Sequence, residues 1–491
     1  MLLGQILGPR TPAGLADVEI TGVTADSREV QPGFLFVAVQ GVKADGSAFI
    51  ADAVRRGAAL VVADHAARVP DGVAVSRVDN VRRTLAELAR DMYPGQPEVA
   101  IAVTGTSGKT SVAEFTRQIF AALDRTSASL GTLGIMTAAG LREGALTTPG
   151  PVELHKLLQG LSAEGVTHLA MEASSHGLDQ HRLDGVRLVA AAFTNLGRDH
   201  MDYHPTVDHY FDAKMRLFRE LLPAERPAVV NMDGAWGDRA REAARESGRE
   251  VLTVGRTGET LRLAGSARAG FRQRLTVIHD GCEREVLLPL IGAYQVENAL
   301  VAAGLAIATG EPVDAVLAAL EGLKGVPGRL DVVGEAKGGL AVVDYAHKPE
   351  ALAAVLDALR PFATGKLVCV FGCGGDRDKG KRPIMGRIAV EKADVVVVTD
   401  DNPRSEKPET IRAEILSGAA VPGCNPAREI GDRAEAIRAA VETMGEGDVV
   451  VVAGKGHETG QKIGDTVIPF SDHAVLAAAL GRAGGGASGV A

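Results

Sequence analysis

Residues 102–111 read Ala102-Val-Thr-Gly-Thr-Ser-Gly-Lys-Thr-Ser111, and they predict a buried strand that turns sharply into a helix. The apolar run at residues 99–103 is typical of a strand. After the turn, apolar side chains recur at helical spacing, at Val112, Phe115, Ile119 and Leu123. A strand, a glycine loop and a helix in this order indicate an α/β fold with a mostly parallel sheet.

The same loop carries groups that bind phosphate. Backbone N–H groups at a helix N-terminus point toward an anion, while Lys109 supplies a positive charge and the Thr110 hydroxyl can hold Mg²⁺. A full Walker pattern has glycine at position 103, where this chain has Val103, so we expect a shortened loop. The stretch predicts a nucleoside triphosphate site, and the alternative is an ordinary strand–turn–helix connection.

Composition narrows the class of protein. A chain of 491 residues predicts about three domains. The formal charge of −9, with no long basic run, argues against nucleic acid as a partner. The four cysteines are too few and too irregularly spaced for a disulfide framework or a zinc site. The sequence also shows neither a leader-like N-terminus nor an apolar run long enough to span a membrane. We therefore expect a cytoplasmic protein that does not bind membranes.

Two stretches rich in proline and glycine divide the chain. Tyr93-Pro-Gly-Gln-Pro97 and Gly325-Val-Pro-Gly328 predict domains at residues 1–92, 93–326 and 327–491. A hairpin is predicted around Asp280-Gly281.

The last domain contains four apolar runs that each end in a polar cluster. The clusters begin at Asp344, Gly372, Thr399 and Ala453. Helical segments separate the runs, which predicts a Rossmann-like parallel sheet with covered faces. Because ligands of such sheets bind beyond the carboxyl ends of the strands, we expect a site for a charged small molecule there.

Two strand ends in the central domain carry groups that suit a metal ion. One predicted strand, at residues 167–171, leads into Glu172, and another, at residues 190–193, leads into a segment that contains His200. A carboxylate oxygen suits Mg²⁺, and histidine is a less usual addition.

Lys214 is unusual because a helix would centre it in an apolar face. The residues three and four positions away are Tyr210, Phe211, Leu217 and Phe218. One interpretation is that its ammonium snorkels to water, and the other is that its amine is modified or paired near the metal site.

Together these motifs resemble the Mur ligase family, ATP-dependent amide ligases of bacterial peptidoglycan precursor synthesis. The resemblance rests on Thr104–Thr110, Glu172, Ser174-Ser-His176, Asn195–His204, Tyr294-Gln-Val-Glu-Asn298, Gly328-Arg329 and Asp344-Tyr-Ala-His347. It implies three domains with a central P-loop ATPase-like sheet. Gly374–Gly380, Asp401-Asn-Pro-Arg404 and Gly454-Lys-Gly-His-Glu458 are most similar to members that add meso-diaminopimelate to a UDP-N-acetylmuramoyl dipeptide.

The resemblance also implies roles for individual residues. ATP would be bound by Gly105, Thr106, Ser107, Gly108, Lys109, Thr110, Ser111, Asn298, Arg329 and Asp344. Mg²⁺ would be held by Thr110, Glu172, His200 and a carbamylated Lys214, and Lys109, Lys214, Glu172 and His200 would serve catalysis.

Two substrate sites follow from the same resemblance. The UDP-linked precursor would contact Ser27, Val42, Lys43, Ala44, Thr147, Thr148, Ser174, Gln180 and Arg182, although the family often has His-Gln-Ala where this chain has Val42-Lys-Ala44. meso-Diaminopimelate would be bound by Arg377, Asp401, Asn402, Pro403, Arg404, Gly454 and Glu458.

The sequence leaves alternatives open for the acceptor amino acid and for the reaction class. L-Lysine could replace meso-diaminopimelate, but a bidentate arginine such as Arg404 suits the additional carboxylate, which lysine lacks. A folate-type polyglutamate ligase would share the fold and the ATP loop. A nucleotide-driven switch would hydrolyse ATP without forming an amide. We expect a monomer.

Overall fold

The chain folds as two units, Met1–Arg262 with Leu300–Ala319 and Leu263–Ala299 with Leu320–Ala491. The computed structural model describes residues 1–41, 45–142, 144, 146–201 and 203–484. Among the helices in these ranges, none has both the length and the apolar character that crossing a bilayer requires.

Parallel sheets form the framework of the first unit. Its strands are β1 (Gly22–Thr24), β2 (Phe34–Val37), β3 (Leu60–Ala63), β4 (Val75–Arg77), β5 (Val99–Thr104), β6 (Ser127–Gly131), β7 (Gly134–Thr137), β8 (Gly140–Arg142), β9 (His168–Glu172), β10 (Ala190–Phe193), β11 (Ala228–Asn231) and β12 (Val251–Gly255). Its helices are α1 (Leu3–Leu7), α2 (Ile50–Arg55), α3 (Val81–Met92), α4 (Lys109–Ala122), α5 (Pro151–Ala163), α6 (Ser175–Asp179), α7 (Val207–Arg216) and α8 (Gly237–Glu246). α9 (Ala293–Ala308) begins in the second unit and ends in the first, which also holds α10 (Val313–Ala319).

Strand order places the functional loops of the first unit side by side. β1 to β4 form a small parallel sheet. Strands β12-β11-β10-β5-β9-β6-β7-β8, in this order, form the part of the larger sheet that lies in the first unit, and those from β12 to β6 are parallel. β5 is buried between β10 and β9, as its apolar sequence predicts. The carboxyl ends of these three neighbours therefore lie at one edge.

The second unit is built on a six-stranded sheet formed by β16 to β21. The strands of the whole unit are β13 (Leu261–Ala269), which begins in the first unit, β14 (Arg272–His279), β15 (Cys282–Leu288), β16 (Asp331–Ala336), β17 (Gly339–Asp344), β18 (Leu367–Phe371), β19 (Val395–Val398), β20 (Arg428–Glu429), β21 (Val449–Ala453), β22 (Gly460–Ile463) and β23 (Thr466–Pro469). Its remaining helices are α11 (Pro349–Leu359), α12 (Lys381–Lys392), α13 (Pro408–Ala419), α14 (Arg433–Glu442) and α15 (Asp472–Gly484).

The order of the six-stranded sheet is β16-β17-β21-β18-β19-β20, and only β16 is antiparallel to its neighbour. One face packs on α11, α12 and α13, and the other on α14 and α15. The predictions of an α/β fold, of a mostly parallel central sheet and of a Rossmann-like C-terminal sheet are confirmed. The hairpin at Asp280-Gly281 is confirmed by the antiparallel pair β14 and β15. The boundaries at residues 92 and 326 remain predictions.

Candidate active site

The glycine loop connects β5 to α4 through four residues, Gly105–Gly108, as expected of a shortened loop. Gly105 has a φ of +149°, and a Cβ atom there would overlap the Thr194 hydroxyl. Glycine is therefore required at this turn, because a side chain would be both strained and obstructed. Lys109, at the first position of α4, donates to the carbonyl oxygens of Gly105 (3.0 Å) and Thr106 (2.9 Å).

The end of β10 holds this loop in place. The Asn195 carbonyl accepts a hydrogen bond from the Thr106 N–H over 2.9 Å, and its side-chain oxygen accepts one from the Ser107 N–H over 3.0 Å. The Thr194 hydroxyl donates to the Ser107 carbonyl over 2.7 Å. Thr110 and Ser111 follow in the first turn of α4. The structure thus places all seven predicted loop residues, Gly105 to Ser111, at one sheet edge.

Lys214 on α7 points into this loop rather than toward water. Only 1% of Lys214 is exposed, and its Nζ atom donates to the Gly105 carbonyl over 2.7 Å and lies 4.3 Å from the centre of the Tyr210 ring. The snorkelling interpretation is therefore wrong. Burial, together with the charge of Lys109, holds the pKa of Lys214 well below its usual value, which favours the neutral, nucleophilic amine.

Glu172 lies at the end of β9 beside Thr132. Its carboxylate is buried and accepts hydrogen bonds from the Thr132 N–H (2.7 Å) and hydroxyl (3.2 Å). A Cβ atom at Gly131 would overlap this carboxylate, so the glycine leaves the space that Glu172 occupies. The Thr132 hydroxyl also lies 3.0 Å from that of Thr147.

Five of the predicted precursor-binding residues lie in the segments after β8 and β9 and form a hydrogen-bond network that includes Glu172. Thr148 donates to the Glu172 carbonyl over 3.0 Å, and the Ser174 hydroxyl donates to Thr148 over 3.0 Å. Arg182 donates to the Thr148 carbonyl and to the Gln180 side chain, each over 2.8 Å.

The other residues that are predicted to bind the precursor are not part of this network. Ser27 begins a short 3₁₀ helix at Ser27–Glu29, and no hydrogen bond within the described ranges joins it to Thr147, Thr148, Ser174, Gln180 or Arg182. Val42, Lys43 and Ala44 lie outside the described residues.

His200 lies in an aromatic cluster after β10. Its ring packs edge-on against His176, 4.9 Å between centroids, and its Nε2 atom is 3.6 Å from Asp199. His204, buried nearby, faces His209 with 3.0 Å between their Nδ1 atoms. Within the ranges given above, the structure contains no group of three or more His, Cys, Asp or Glu side chains arranged to hold a metal ion. The predicted set of Thr110, Glu172, His200 and Lys214 is of a different composition and stays a prediction.

Three further residues that are predicted to bind the nucleotide are linked in the second unit. Asn298 donates to the Gln295 side chain over 2.9 Å, and Gln295 donates to the Arg329 carbonyl over 3.0 Å. The Asp344 carboxylate accepts from the N–H groups of Leu330 (2.7 Å) and Ala346 (2.8 Å). Burial raises the pKa of Asp344 to about 6. Gln295 connects Asn298 to Arg329; it is not among the predicted site residues, although it lies in the motif Tyr294-Gln-Val-Glu-Asn298.

A cavity of about 780 Å³ lies at the carboxyl ends of β17, β18, β19 and β21. All four predicted polar clusters line it. Of the seven predicted amino-acid-binding residues, six are among the lining residues: Arg377, Asp401, Asn402, Arg404, Gly454 and Glu458. Pro403 is not among them; its carbonyl oxygen packs against Gly375, where a Cβ atom would overlap it.

Charges of both signs surround the cavity. The cationic lining residues are Lys348, Arg377, Lys381 and Arg404, and the anionic ones are Glu350, Asp378, Asp401 and Glu458. The Arg404 guanidinium is held by a hydrogen bond from Nη1 to the Gly375 carbonyl over 2.6 Å. Such a lining suits a small zwitterion with several ammonium and carboxylate groups.

Thr132 and Lys455, which contact Glu172 and Glu458 respectively, are not among the predicted site residues. The sequence signal for Thr132 is its position between Gly131 and Gly134 directly after β6, and that for Lys455 is its place inside Gly454-Lys-Gly-His-Glu458.

Comparison with known proteins gives matches along the chain. Three family models match in series: the Mur ligase family catalytic domain at residues 19–93, the Mur ligase middle domain at residues 103–306, and the Mur ligase glutamate ligase domain at residues 328–456. The UDP-N-acetylmuramoyl-L-alanyl-D-glutamate--2,6-diaminopimelate ligase of Rhizobium meliloti (strain 1021) is 58% identical over 468 residues, which cover 95% of each chain.

Solved structures also resemble this chain. The structure of a UDP-N-acetylmuramoyl-L-alanyl-D-glutamate--2,6-diaminopimelate ligase is 33% identical, has a TM-score of 0.76, and the match covers 98% of this chain and 99% of that one. Mycobacterium tuberculosis folylpolyglutamate synthase complexed with ADP and AMPPCP, 19% identical with a TM-score of 0.59 over 76% of this chain and 92% of that one, shares the fold alone. The resemblance seen in the motifs is thus confirmed over nearly the whole length, and the chain belongs to the Mur ligase family.

Proposed function

We propose that this chain is an ATP-dependent ligase that joins meso-diaminopimelate to UDP-N-acetylmuramoyl-L-alanyl-D-glutamate in peptidoglycan precursor synthesis. The observation that carries the proposal is the cavity at the four strand ends, where Arg404, Arg377, Asp401 and Glu458 meet. meso-Diaminopimelate carries two ammonium and two carboxylate groups, which match this mixed lining. The names of the relatives reported above support the same acceptor.

The nucleotide loop supports the use of ATP, as does family membership. The N-terminus of α4 and Lys109 would attract the phosphates. The Lys109 ammonium, which now donates to loop carbonyls, would exchange these bonds for contacts to phosphate oxygens.

The residues near the loop fit a magnesium ion. Glu172 offers a buried carboxylate, Thr110 a hydroxyl and His200 an imidazole. Lys214 offers a buried amine whose lowered pKa favours the neutral form, which would react with CO₂ to give an anionic carbamate. We infer that these four residues hold Mg²⁺. Bound there, the ion would neutralise charge on the transferring phosphoryl group.

The chemistry is an acyl activation followed by amide formation. The side-chain carboxylate of the D-glutamate residue attacks the γ-phosphorus of ATP, which gives an acyl phosphate and ADP. A diaminopimelate amine then attacks the acyl carbon, loses a proton and displaces phosphate. Lys109 offsets the negative charge that keeps carboxylate and ATP apart, and Arg404 and Glu458 fix the orientation of the incoming amino acid.

We assign the precursor to Ser27, to Val42, Lys43 and Ala44, and to the network of Thr147, Thr148, Ser174, Gln180 and Arg182. In this proposal residues 1–92 bind the uridine nucleotide, residues 93–326 bind ATP, and residues 327–491 bind the amino acid. The protein acts as a monomer in the cytoplasm, where ATP and the UDP-linked precursor are present.

The test is product formation. The full chain is incubated with ATP, Mg²⁺ and the UDP-linked dipeptide, with L-lysine and meso-diaminopimelate offered separately, and the product is identified by mass. We expect the amide product with meso-diaminopimelate only. A lysine product would overturn the acceptor, amide formation without the uridine nucleotide would favour a folate-type ligase, and phosphate release that neither substrate stimulates would favour a nucleotide switch.

A further inference from the structure

Lys455 is a buried lysine next to the amino-acid cavity. It follows β21 inside the Gly454–Glu458 loop, and its side chain is 0% exposed. Its Nζ atom donates to the Asn402 side-chain oxygen over 3.0 Å and to Glu458 Oε2 over 2.9 Å. Removing an ammonium group from water is costly unless its partners replace the lost hydration, so this lysine requires an explanation.

The side-chain oxygen of Asn402 is fully engaged by the same contacts. This oxygen also accepts from the Lys462 N–H over 2.8 Å, and the side-chain amide nitrogen donates to Glu458 Oε2 over 2.8 Å. With both lone pairs of the amide oxygen occupied, Asn402 acts on the ligand through Glu458 rather than through that oxygen.

The two donors engage one oxygen of Glu458 and leave the other available. Oε2 accepts from Lys455 and Asn402, whereas Oε1 accepts no hydrogen bond within the part of the chain that the structure describes. Glu458 lines the cavity, and 33% of its side chain is exposed. Burial alone would raise the pKa of Glu458, but the Lys455 ammonium and the Asn402 amide lower it below the usual value.

We propose that Lys455 is a positioning residue, which fixes Glu458 with Oε1 turned toward the cavity to receive an ammonium group of the acceptor amino acid. The inference rests on the proposed function, because it assigns Lys455 a part in binding the same acceptor. It explains why a lysine is buried at this point: its charge keeps a carboxylate ionised at the wall of the cavity, and its two bonds fix the direction of that carboxylate.

The test is a comparison of KM and kcat for five forms of the full chain: wild type, Lys455→Met, Glu458→Gln, the double variant, and Lys392→Met. Lys392→Met is the matched control, because it removes a lysine that pairs with Asp357 over 2.7 Å on the exposed surface of the same unit. We expect Lys455→Met to raise KM for meso-diaminopimelate about tenfold or more, which is the loss of one charged hydrogen bond. KM for ATP and for the precursor should stay within about twofold in every variant.

The double variant tests whether Lys455 acts through Glu458. If it does, adding Lys455→Met to Glu458→Gln raises KM by less than about threefold, because the group it positions is already lost. Effects that multiply, or an unchanged KM in Lys455→Met, would overturn the inference. Wild-type protein that forms no amide with meso-diaminopimelate would overturn the proposed function as well, which separates the two failures.

A second variant covers the case in which Lys455→Met does not fold. Lys455→Gln keeps a hydrogen-bond donor without the charge, and circular dichroism checks its fold. The same selective rise in KM is expected, and equal losses for all three substrates would contradict a positioning role.

Discussion

Lys214 Nζ and Lys109 Nζ donate to the same acceptor, the carbonyl oxygen of Gly105, over 2.7 and 3.0 Å. One lysine reaches it from α7 and the other from the start of α4. Burial and the neighbouring charge of Lys109 hold the pKa of Lys214 well below its usual value. This environment favours the neutral amine, which is the form that the proposed carbamate at Lys214 requires.

Replacing Lys214 by alanine should lower amide formation about 100-fold, because the variant has no amine to form the carbamate. A short-chain carboxylic acid such as acetate should restore part of the activity by supplying the missing carboxylate. Phosphate release measures both effects. Full activity without acetate, or a folded variant that acetate does not rescue, would contradict the carbamate.

Arg404→Ala should raise KM for meso-diaminopimelate about tenfold or more, since it removes a guanidinium that a carboxylate can engage in two hydrogen bonds. Binding of the UDP-linked precursor, measured by calorimetry, should not change. Arg428→Ala is the control, because Arg428 is an exposed arginine of β20 in the same unit. Equal KM values for Arg404→Ala and the control would remove Arg404 from the acceptor site.

Gly105→Ala should abolish ATP binding, because Gly105 has a φ of +149° and a methyl group there would overlap the Thr194 hydroxyl. Nucleotide binding is measured by fluorescence titration. The control is Gly160→Ala in α5, where a Cβ atom meets nothing within 4 Å and helix propensity predicts a gain of up to about 1 kcal/mol in the free energy of unfolding. The idea fails if Gly105→Ala binds ATP as wild type does.

Arg433→Met should lower the free energy of unfolding by about 3–5 kcal/mol, since it leaves the fully buried Asp472 carboxylate unpaired. Arg433 also donates to the Ala453 carbonyl over 2.9 Å, just before the Gly454–Glu458 loop. Thermal denaturation measures the loss. Arg438→Met, on the exposed side of the same helix, should melt like wild type. Identical melting of the two variants would refute the role of the buried pair.

His204 should make the first unit less stable in acid. Burial and the neighbouring His176 and His209 lower the pKa of His204 to about 4, against 6.5 for an unperturbed imidazole. As pH falls below 6.5, the imidazole of His204 becomes protonated in the unfolded chain but stays neutral in the folded chain. The free energy of unfolding therefore falls between pH 6.5 and pH 4, by about 3 kcal/mol at most.

Melting temperatures at about pH 7.5 and pH 5 measure this loss. His204→Asn keeps a polar atom near the position of Nδ1 and should show a smaller drop than wild type. His65→Asn, at an imidazole that is 67% exposed, should drop as wild type does. A His204→Asn variant with the wild-type drop would show that another group is responsible.

Patterns within short segments predicted much of this protein. The helical spacing after Lys109, the buried valines of β19 and the hairpin at Asp280-Gly281 are all local signals, and each element formed where its pattern lay. The four polar clusters could also be placed in one cavity beforehand, because the ends of parallel strands share a sheet edge.

Contacts between segments that lie far apart in the sequence were harder to predict. Nothing around Lys214 in sequence distinguishes snorkelling from burial, and only the packing of α7 against the loop after β5 settles it. Similarly, Gly454-Lys-Gly-His-Glu458 does not say that Lys455 bonds Asn402 from another strand end.

The amino-acid sequence by itself determined the type of the central and the C-terminal sheets, the phosphate-binding loop and the set of candidate residues, because periodicity and turn chemistry are properties of neighbouring residues. Only the tertiary structure decided which donor meets which acceptor. Those pairings join residues far apart in the chain, and their direction depends on how whole helices and strands pack.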